Sequence, residues 1–311
     1  MYAGGAITVG NATGASFKEN DVTRYHLISG YIVAPQATAS FAYKVTDSLS
    51  LAATAGIIYM TVHGHRKVFP IIDGNDISML AGTKPDLVLD GDGWAPTWNI
   101  SAFGQPHPKV TWGAQLQGRV DATLEGPVEI TYSDDASTPG DKLIGTQKTS
   151  QMLPWALFAG ANVDVHPNIE IGAEVRWWLY RQYKEQRTDI TGIFLVRELV
   201  TQKNYHDSIM VSGGARFHDF AFAPKLDMFL GSHYDRVPAP PQTVTLDQPS
   251  FPHWGIHGGL RQTVGRFRVG ASYIRYVYRI PTTTDSITLP PSNFRGHGSN
   301  NIFTLSLEAT L

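Results

Sequence analysis

The chain has 311 residues, of which 42% are hydrophobic and 17% are charged, with a formal net charge of −2 and no cysteine. The absence of cysteine excludes disulfides, a cysteine nucleophile and cysteine-bound metal sites, and the near-neutral charge gives no basic field for nucleic acid. The longest apolar stretch, near residues 51–60, is far shorter than the roughly 18 residues that a membrane-spanning helix requires.

Alternation of apolar and polar residues dominates the chain and predicts β-strands. Between residues 110 and 122, for example, Val110, Trp112 and Leu116 fall on one face, and the positions between them are mainly polar. Many of the predicted strands run about 10–15 residues, longer than usual in globular sheets and long enough to cross a bilayer when tilted. In chain order, eleven or twelve strands are predicted near residues 3–10, 24–44, 49–61, 94–105, 109–123, 152–164, 168–184, 207–216, 225–235, 254–263, 267–280 and 301–311.

The connections between these strands alternate between short turns and long polar loops. The short turns lie at 45–48, 105–108, 165–168, 217–223 and 264–266, and the long loops at 62–93, 133–151, 185–206, 238–253 and 281–300. Bacterial outer-membrane barrels place short turns at one rim and long loops at the other. We therefore predict an all-β, antiparallel, up-and-down transmembrane β-barrel, a single domain over residues 1–311 with 1–23 as a partial strand and loop.

The runs YDRVPAPP at 234–241 and LDQP at 246–249, followed by a strand over 254–260, resemble the long-chain fatty-acid transporter (FadL) family of outer-membrane proteins. Segments near 42–51 and 154–178 resemble hairpins of the same family, and the similar layout extends from about residue 24 onward. The resemblance implies a fourteen-stranded barrel in the bacterial outer membrane, plugged by an N-terminal hatch with an Asn-Pro-Ala motif. This sequence lacks that motif and shows about 12 strands, so either the hatch and first strands are expected to be missing or this chain is a reduced member of the family.

The resemblance also implies a function. A member of this family is expected to be a channel for hydrophobic or amphipathic small molecules, such as fatty acids or aromatic hydrocarbons. It would contact outer-membrane lipid and lipopolysaccharide and act as a monomer. It would require no cofactor and bind no nucleic acid. A general porin or a structural outer-membrane barrel is the alternative, and a soluble all-β binding protein is a second alternative.

The inward face of the predicted barrel combines aromatic and charged side chains. An amphipathic ligand gains affinity from apolar area and orientation from a few polar groups, so this mixture favours ligand binding. Filling of a narrow barrel by the same aromatic side chains is the competing interpretation. Arg176, Glu174 and Glu170 are expected to form a structural charge network. The predicted ligand-binding residues are Phe103, Phe158, Trp178, Met210, Phe229 and Tyr276.

The remaining chemistry in the sequence does not favour a metal site or an enzyme. His63 and His65 supply two ligands in a predicted loop, which is an incomplete metal site. His233 and His257 are expected to face inward near the long-loop rim. Ser232 and His233 are adjacent in a strand and point to opposite faces, so they cannot form a catalytic dyad. No nucleophile-elbow, Walker or dinucleotide-binding motif occurs in the chain.

Overall fold

The computed structural model describes residues 1–72, 75–246 and 250–309, and its regular structure is almost entirely antiparallel β-sheet. No helix in this part of the chain is long and apolar enough to cross a membrane. The helical segments are α1 (Ser78–Ala81) and two single 3₁₀ turns, Tyr180–Gln182 and Pro241–Thr243. The strands are β1 (Tyr2–Ser16), β2 (Ser29–Thr46), β3 (Leu49–Lys67), β4 (Ile71–Ile72), β5 (Asn75–Asp76), β6 (Asp86–His107), β7 (Val110–Gln117), β8 (Val120–Thr131), β9 (Lys142–Leu153), β10 (Ala156–His166), β11 (Ile169–Trp178), β12 (Glu185–Thr191), β13 (Glu198–Gln202), β14 (Ser208–Phe217), β15 (Leu226–Arg236), β16 (His253–Val264), β17 (Phe267–Tyr278) and β18 (Gly298–Ala309).

Twelve of these strands follow one another in a single antiparallel run, β1-β2-β3-β6-β7-β10-β11-β14-β15-β16-β17-β18. The connections β2–β3, β6–β7, β10–β11 and β16–β17 each span two residues and lie at the same rim as the β14–β15 turn. The longer connections, including those that contain the other strands, lie at the opposite rim. The predicted all-β, up-and-down architecture with about twelve strands is therefore confirmed.

The outward face of this run is apolar because the alternation places every second side chain there. Leu116 of β7 pairs in register with Ile100 of β6 and Leu157 of β10, and these three side chains border one predominantly apolar groove. Toward the long-loop rim the outward face carries aromatic pairs, among them Tyr59 with Trp94, whose ring centroids lie 4.7 Å apart. Trp94 remains 64% exposed, as expected of an aromatic ring at a membrane–water interface.

A second group of strands extends the sheet beyond the long-loop rim. β6 pairs with β7 along its second half, whereas its first half pairs with β8, from Asp86 with Thr131 to Asp92 with Glu125. The sheet then continues through β9 and β12 to β13. A compact hydrophobic cluster covers one face of this extension and includes Val68, Ile77, Leu87, Val128, Ile130, Ile190 and Val196.

This extension corrects the predicted loops. The segments 62–93, 133–151 and 185–206 contain regular strands because their apolar residues form the small core just described. His63 and His65 consequently lie in β3, where His63 Nδ1 meets Asp90 Oδ1 at 2.7 Å and His65 Nε2 meets Asp86 Oδ1 at 2.8 Å. The histidines pair with carboxylates of the extended sheet.

Several strand boundaries differ from the predictions. Predicted strand 152–164 includes the last two residues of β9, and predicted strand 94–105 is the second part of β6, which begins at Asp86. The predicted strand 109–123 is two strands, since β7 ends at Gln117, β8 begins at Val120 and the chain changes neighbours between them. The predicted strand 168–184 ends at Trp178, where the chain enters a 3₁₀ turn. Of the family-like motif at 246–249, residues 247–249 lie outside the described residues, as does Leu311 at the end of the last predicted strand.

Candidate functional site

The inward face of the twelve-strand run contains two adjoining recesses. The lower recess has a volume of about 590 Å³ and the upper recess, nearer the long-loop rim, about 430 Å³. Glu174 and Ser212 border both, so we treat the two as one lumenal chamber. The inward side chains of the lower recess include Ser101, Phe103, Thr111, Gln115, Phe158 and Asn162, and those of the upper recess include Arg176, Met210, His233, Asp235, His253, His257 and Tyr276.

Glycines open the chamber where its two recesses adjoin. Gly172, Gly214 and Gly231 lie side by side in register across β11, β14 and β15, where larger side chains would fill the lumen. A Cβ atom at Gly172 would lie 2.2 Å from Oδ1 of Asn162, so a larger residue here would displace the Asn162 side chain. Phe158 forms an apolar border of the recess, and its ring makes an edge contact with Trp178 at 5.7 Å between centroids.

Imidazole and phenol groups form much of the lining of the upper recess. His233 Nδ1 lies 2.5 Å from His257 Nε2, so one of the two nitrogens donates to the other. His253 makes edge contacts with His233 at 5.4 Å and with Tyr276 at 5.1 Å between ring centroids. The alternation of β16 places His253 on the same face as His257, a signal that the sequence analysis missed by assigning residue 253 to a loop.

The charged groups of the upper recess are Glu174, Arg176 and Asp235. Arg176 donates from Nε and Nη2 to the two carboxylate oxygens of Glu174, at 2.5 and 3.2 Å. Asp235 accepts a long hydrogen bond of 3.5 Å from Ser208 Oγ. The predicted contact between Arg176 and Glu174 therefore exists, whereas Glu170 belongs to a different cluster nearer the short-turn rim.

That second cluster forms the floor below the chamber. Arg216 contacts Glu170 at 3.3 Å and Asp227 at 2.9 Å, and Arg261 contacts Asp227 at 2.8 Å. Each arginine of this cluster is thus paired with a carboxylate. The guanidinium of Arg261 also lies over the ring of Phe229, 5.2 Å from its centroid.

The six predicted ligand-binding residues separate into two places. Phe103 and Phe158 line the lower recess, Met210 and Tyr276 line the upper one, and Trp178 flanks Phe158. Phe229 instead lies in the floor cluster, because it is only the fourth residue of β15 and β15 begins at the short-turn rim. Four of the six residues therefore line the chamber, and a fifth, Trp178, adjoins it through Phe158.

Ion pairs and hydrogen bonds link the segments beyond the long-loop rim to one another. Lys67 is only 9% exposed and contacts Asp86 at 2.7 Å and Glu19 at 2.8 Å. Burial acts to lower the pKa of Lys67, but hydrogen bonds to Asp86 and Glu19 outweigh it and hold the pKa above its ordinary value. Hydrogen bonds from Ser133 and Thr83 lower the pKa of Asp135 to about 2.

The arrangement offers binding chemistry. Within residues 1–72, 75–246 and 250–309, no group of three or more His, Cys, Asp or Glu side chains is placed to hold a metal ion. The chamber presents aromatic faces, imidazole hydrogen-bonding groups, two carboxylates and one guanidinium, a lining that can hold a small molecule with an apolar body and a polar end.

Comparisons with known proteins agree with this architecture. The family profile described as outer membrane protein transport protein (OMPP1/FadL/TodX) matches residues 1–250. No curated protein sequence matches the chain.

Among solved structures, a FadL homologue from Pseudomonas aeruginosa superposes with a TM-score of 0.82 and 16% identity, covering 98% of this chain and 74% of that one. The toluene transporter TbuX of Ralstonia pickettii gives a TM-score of 0.70 and 14% identity, over 99% of this chain and 77% of its own. The toluene transporter TodX of Pseudomonas putida gives 0.66 and 13%, over 88% and 72%. These likenesses show a shared fold.

Proposed function

The chain belongs to the outer membrane transport protein family that includes FadL and TodX, and from this premise we propose that it is a channel for hydrophobic or amphipathic small molecules, such as fatty acids or aromatic hydrocarbons. Proteins of this family are β-barrels of the bacterial outer membrane, and the chain is an outer-membrane protein. The relatives TbuX and TodX are toluene transporters, which supports an aromatic hydrocarbon as one class of substrate.

The lumenal chamber is the observation that carries the proposal. Its lower recess is lined by Phe103, Phe158 and several glycines, and its upper recess adds polar groups that can orient a ligand. We propose that a substrate enters from the long-loop rim and rests against the chamber residues Phe103, Phe158, Met210 and Tyr276, with Trp178 beside Phe158. The floor cluster around Arg216 would then separate the bound substrate from the short-turn rim.

The partners follow from this role. We propose that residues 1–311 act as one barrel unit, as a monomer in contact with outer-membrane lipid and lipopolysaccharide. The apolar outward face and its aromatic pairs suit that environment. We propose no catalytic step and no nucleic-acid partner for the protein.

The experiment compares binding with passive permeation. Refolded protein is titrated with naphthalene, a neutral fluorescent hydrocarbon, and with a fluorescent fatty acid, each against empty micelles. The same protein in liposomes is tested for swelling in isosmotic arabinose. Saturable binding of either probe with slow swelling is the expected result. Fast swelling without saturable binding of either probe would contradict the proposal and favour a general porin.

A further inference from the structure

The upper recess combines a ring of aromatic groups with an excess of one negative charge, and from this we infer that the chamber binds neutral or cationic aromatic compounds in preference to carboxylates. The inference rests on the proposed function and deepens it by naming the charge class of the ligand. Its basis is the pairing of the charged groups and the position of Asp235 relative to the aromatic rings.

The charges of the upper recess do not cancel. With histidine counted as neutral, the charged lining residues are Glu174, Arg176 and Asp235. The Arg176 guanidinium is held in a two-point contact by Glu174, so its charge is already matched. Within the described ranges, no lysine, arginine or histidine nitrogen lies within 4 Å of the Asp235 carboxylate. One uncompensated carboxylate therefore faces the chamber.

Aromatic groups lie on the strands next to that carboxylate. Asp235 pairs in register with His253, whose ring lies 5.1 Å from the ring of Tyr276 and 5.2 Å from that of Tyr278. The faces of aromatic rings carry partial negative charge and attract cations. An ammonium group placed near Asp235 would gain from the carboxylate and from the rings, while the apolar body of the ligand extends toward Phe158 in the lower recess.

A carboxylate ligand finds no matching partner in this part of the lumen. The two arginines of the floor cluster, Arg216 and Arg261, are engaged by Glu170 and Asp227. A carboxylate in the upper recess would instead face Asp235, and like charges repel in a site of reduced dielectric. A neutral aromatic ligand avoids this repulsion and retains the apolar contacts.

Three ligands of nearly equal size and different charge test the inference. Ethylbenzene, phenethylamine and phenylacetate are titrated into the refolded protein by calorimetry at pH 8, with heats corrected against empty micelles. Because a hydrogen bond to a charged group is worth about 1.5–3 kcal/mol, phenethylamine should bind about tenfold more tightly than phenylacetate. Ethylbenzene should fall between the two.

Matched variants assign the preference to one residue. Asp235→Asn keeps the side-chain shape and should weaken phenethylamine binding about tenfold, bringing it close to phenylacetate. Asp164→Asn removes another half-buried inward carboxylate, from β10 near the short-turn rim, and should leave the ranking unchanged. If Asp235→Asn does not refold, two measurements on the wild type still decide the matter. These are the ranking of the three ligands, and whether 0.5 M salt weakens the binding of phenethylamine and of no other ligand.

The outcomes separate the two proposals. Equal or tighter binding of phenylacetate by the wild type, or an unchanged ranking in Asp235→Asn, would overturn the charge preference and leave the proposed function standing. Absence of saturable binding for all three ligands would overturn the proposed function together with the inference.

Discussion

Replacement of Leu116 by arginine tests whether the apolar face contacts lipid. Leu116 lies six residues beyond the start of β7 at the short-turn rim. At about 3.3 Å per residue and a tilt of about 40°, this places Leu116 roughly 15 Å from that rim, near the middle of an apolar band about 25 Å tall. An arginine at the bilayer midplane of a barrel costs about 2–4 kcal/mol, so Leu116→Arg should lose that much free energy of folding in liposomes.

The neighbouring residue provides the control. Gln115 lines the lower recess, so Gln115→Arg places the same charge in the lumen and should cost less than about 1 kcal/mol. The folded fraction is measured by heat-modifiable migration in a urea series, in liposomes of constant composition. Equal urea midpoints for the two variants would refute the assignment of faces and the membrane environment derived from it.

Two further predictions concern the chamber and the long-loop rim. Phe158→Ala should weaken naphthalene binding more than tenfold, because it removes about 1.5–3 kcal/mol of apolar contact from the lining of the lower recess. Phe229→Ala, in the floor cluster, should change the binding less than about threefold, and similar losses in the two variants would contradict the division between chamber and floor. The second prediction concerns Asp135, whose pKa is lowered to about 2. Its contact with Thr83 should be intact above about pH 4 and lost as the pH falls through 2, and the chemical shift of the Thr83 amide would report this loss. An Asp135→Asn variant should show no such titration, and the same shift change in that variant would refute the assignment.

The strands of the twelve-strand run could be predicted because each has to separate lipid from lumen. A one-residue error in the alternation would place polar side chains in lipid, so segments such as β11 and β17 show a clear two-residue period. The turn between β16 and β17 could be predicted from Gly265, because glycine readily adopts the positive φ of 60° found there.

The extended sheet could not be predicted in the same way. Its strands pair outside the main run, and their small core draws single apolar residues such as Val68, Leu87 and Ile190 from distant segments. Strands β8, β9 and β12 do alternate buried and less buried residues, but which of their faces is buried depends on this long-range packing. The interruption between β7 and β8 likewise depends on a change of strand neighbour.

The candidate site was predictable only in part. Alternation predicted that Phe158, Met210 and Tyr276 face inward, because the face on which a side chain lies depends on its position along its own strand. The height of a residue within the lumen depends on how strands are staggered across the sheet, and this separates Phe229 from the chamber. The convergence of His233, His253 and His257 depends on the same stagger and on the side-chain positions.

The central claim is that the lumenal chamber holds the transported molecule, and filling the chamber tests it most directly. Gly113 lines the lower recess, and a Cβ atom there would meet only Ala102 O, at 3.8 Å, so Gly113→Phe can project a ring into the chamber. Gly258→Phe adds the same ring at a position of opposite phase to the inward His257, where a Cβ atom meets only Leu230 at 3.9 Å. The measurement is saturable naphthalene binding by wild type and both variants after equal refolding. We expect Gly113→Phe to lose at least about 90% of the binding affinity, which is about 1.4 kcal/mol, and Gly258→Phe to match the wild type; unchanged binding by Gly113→Phe would contradict the claim.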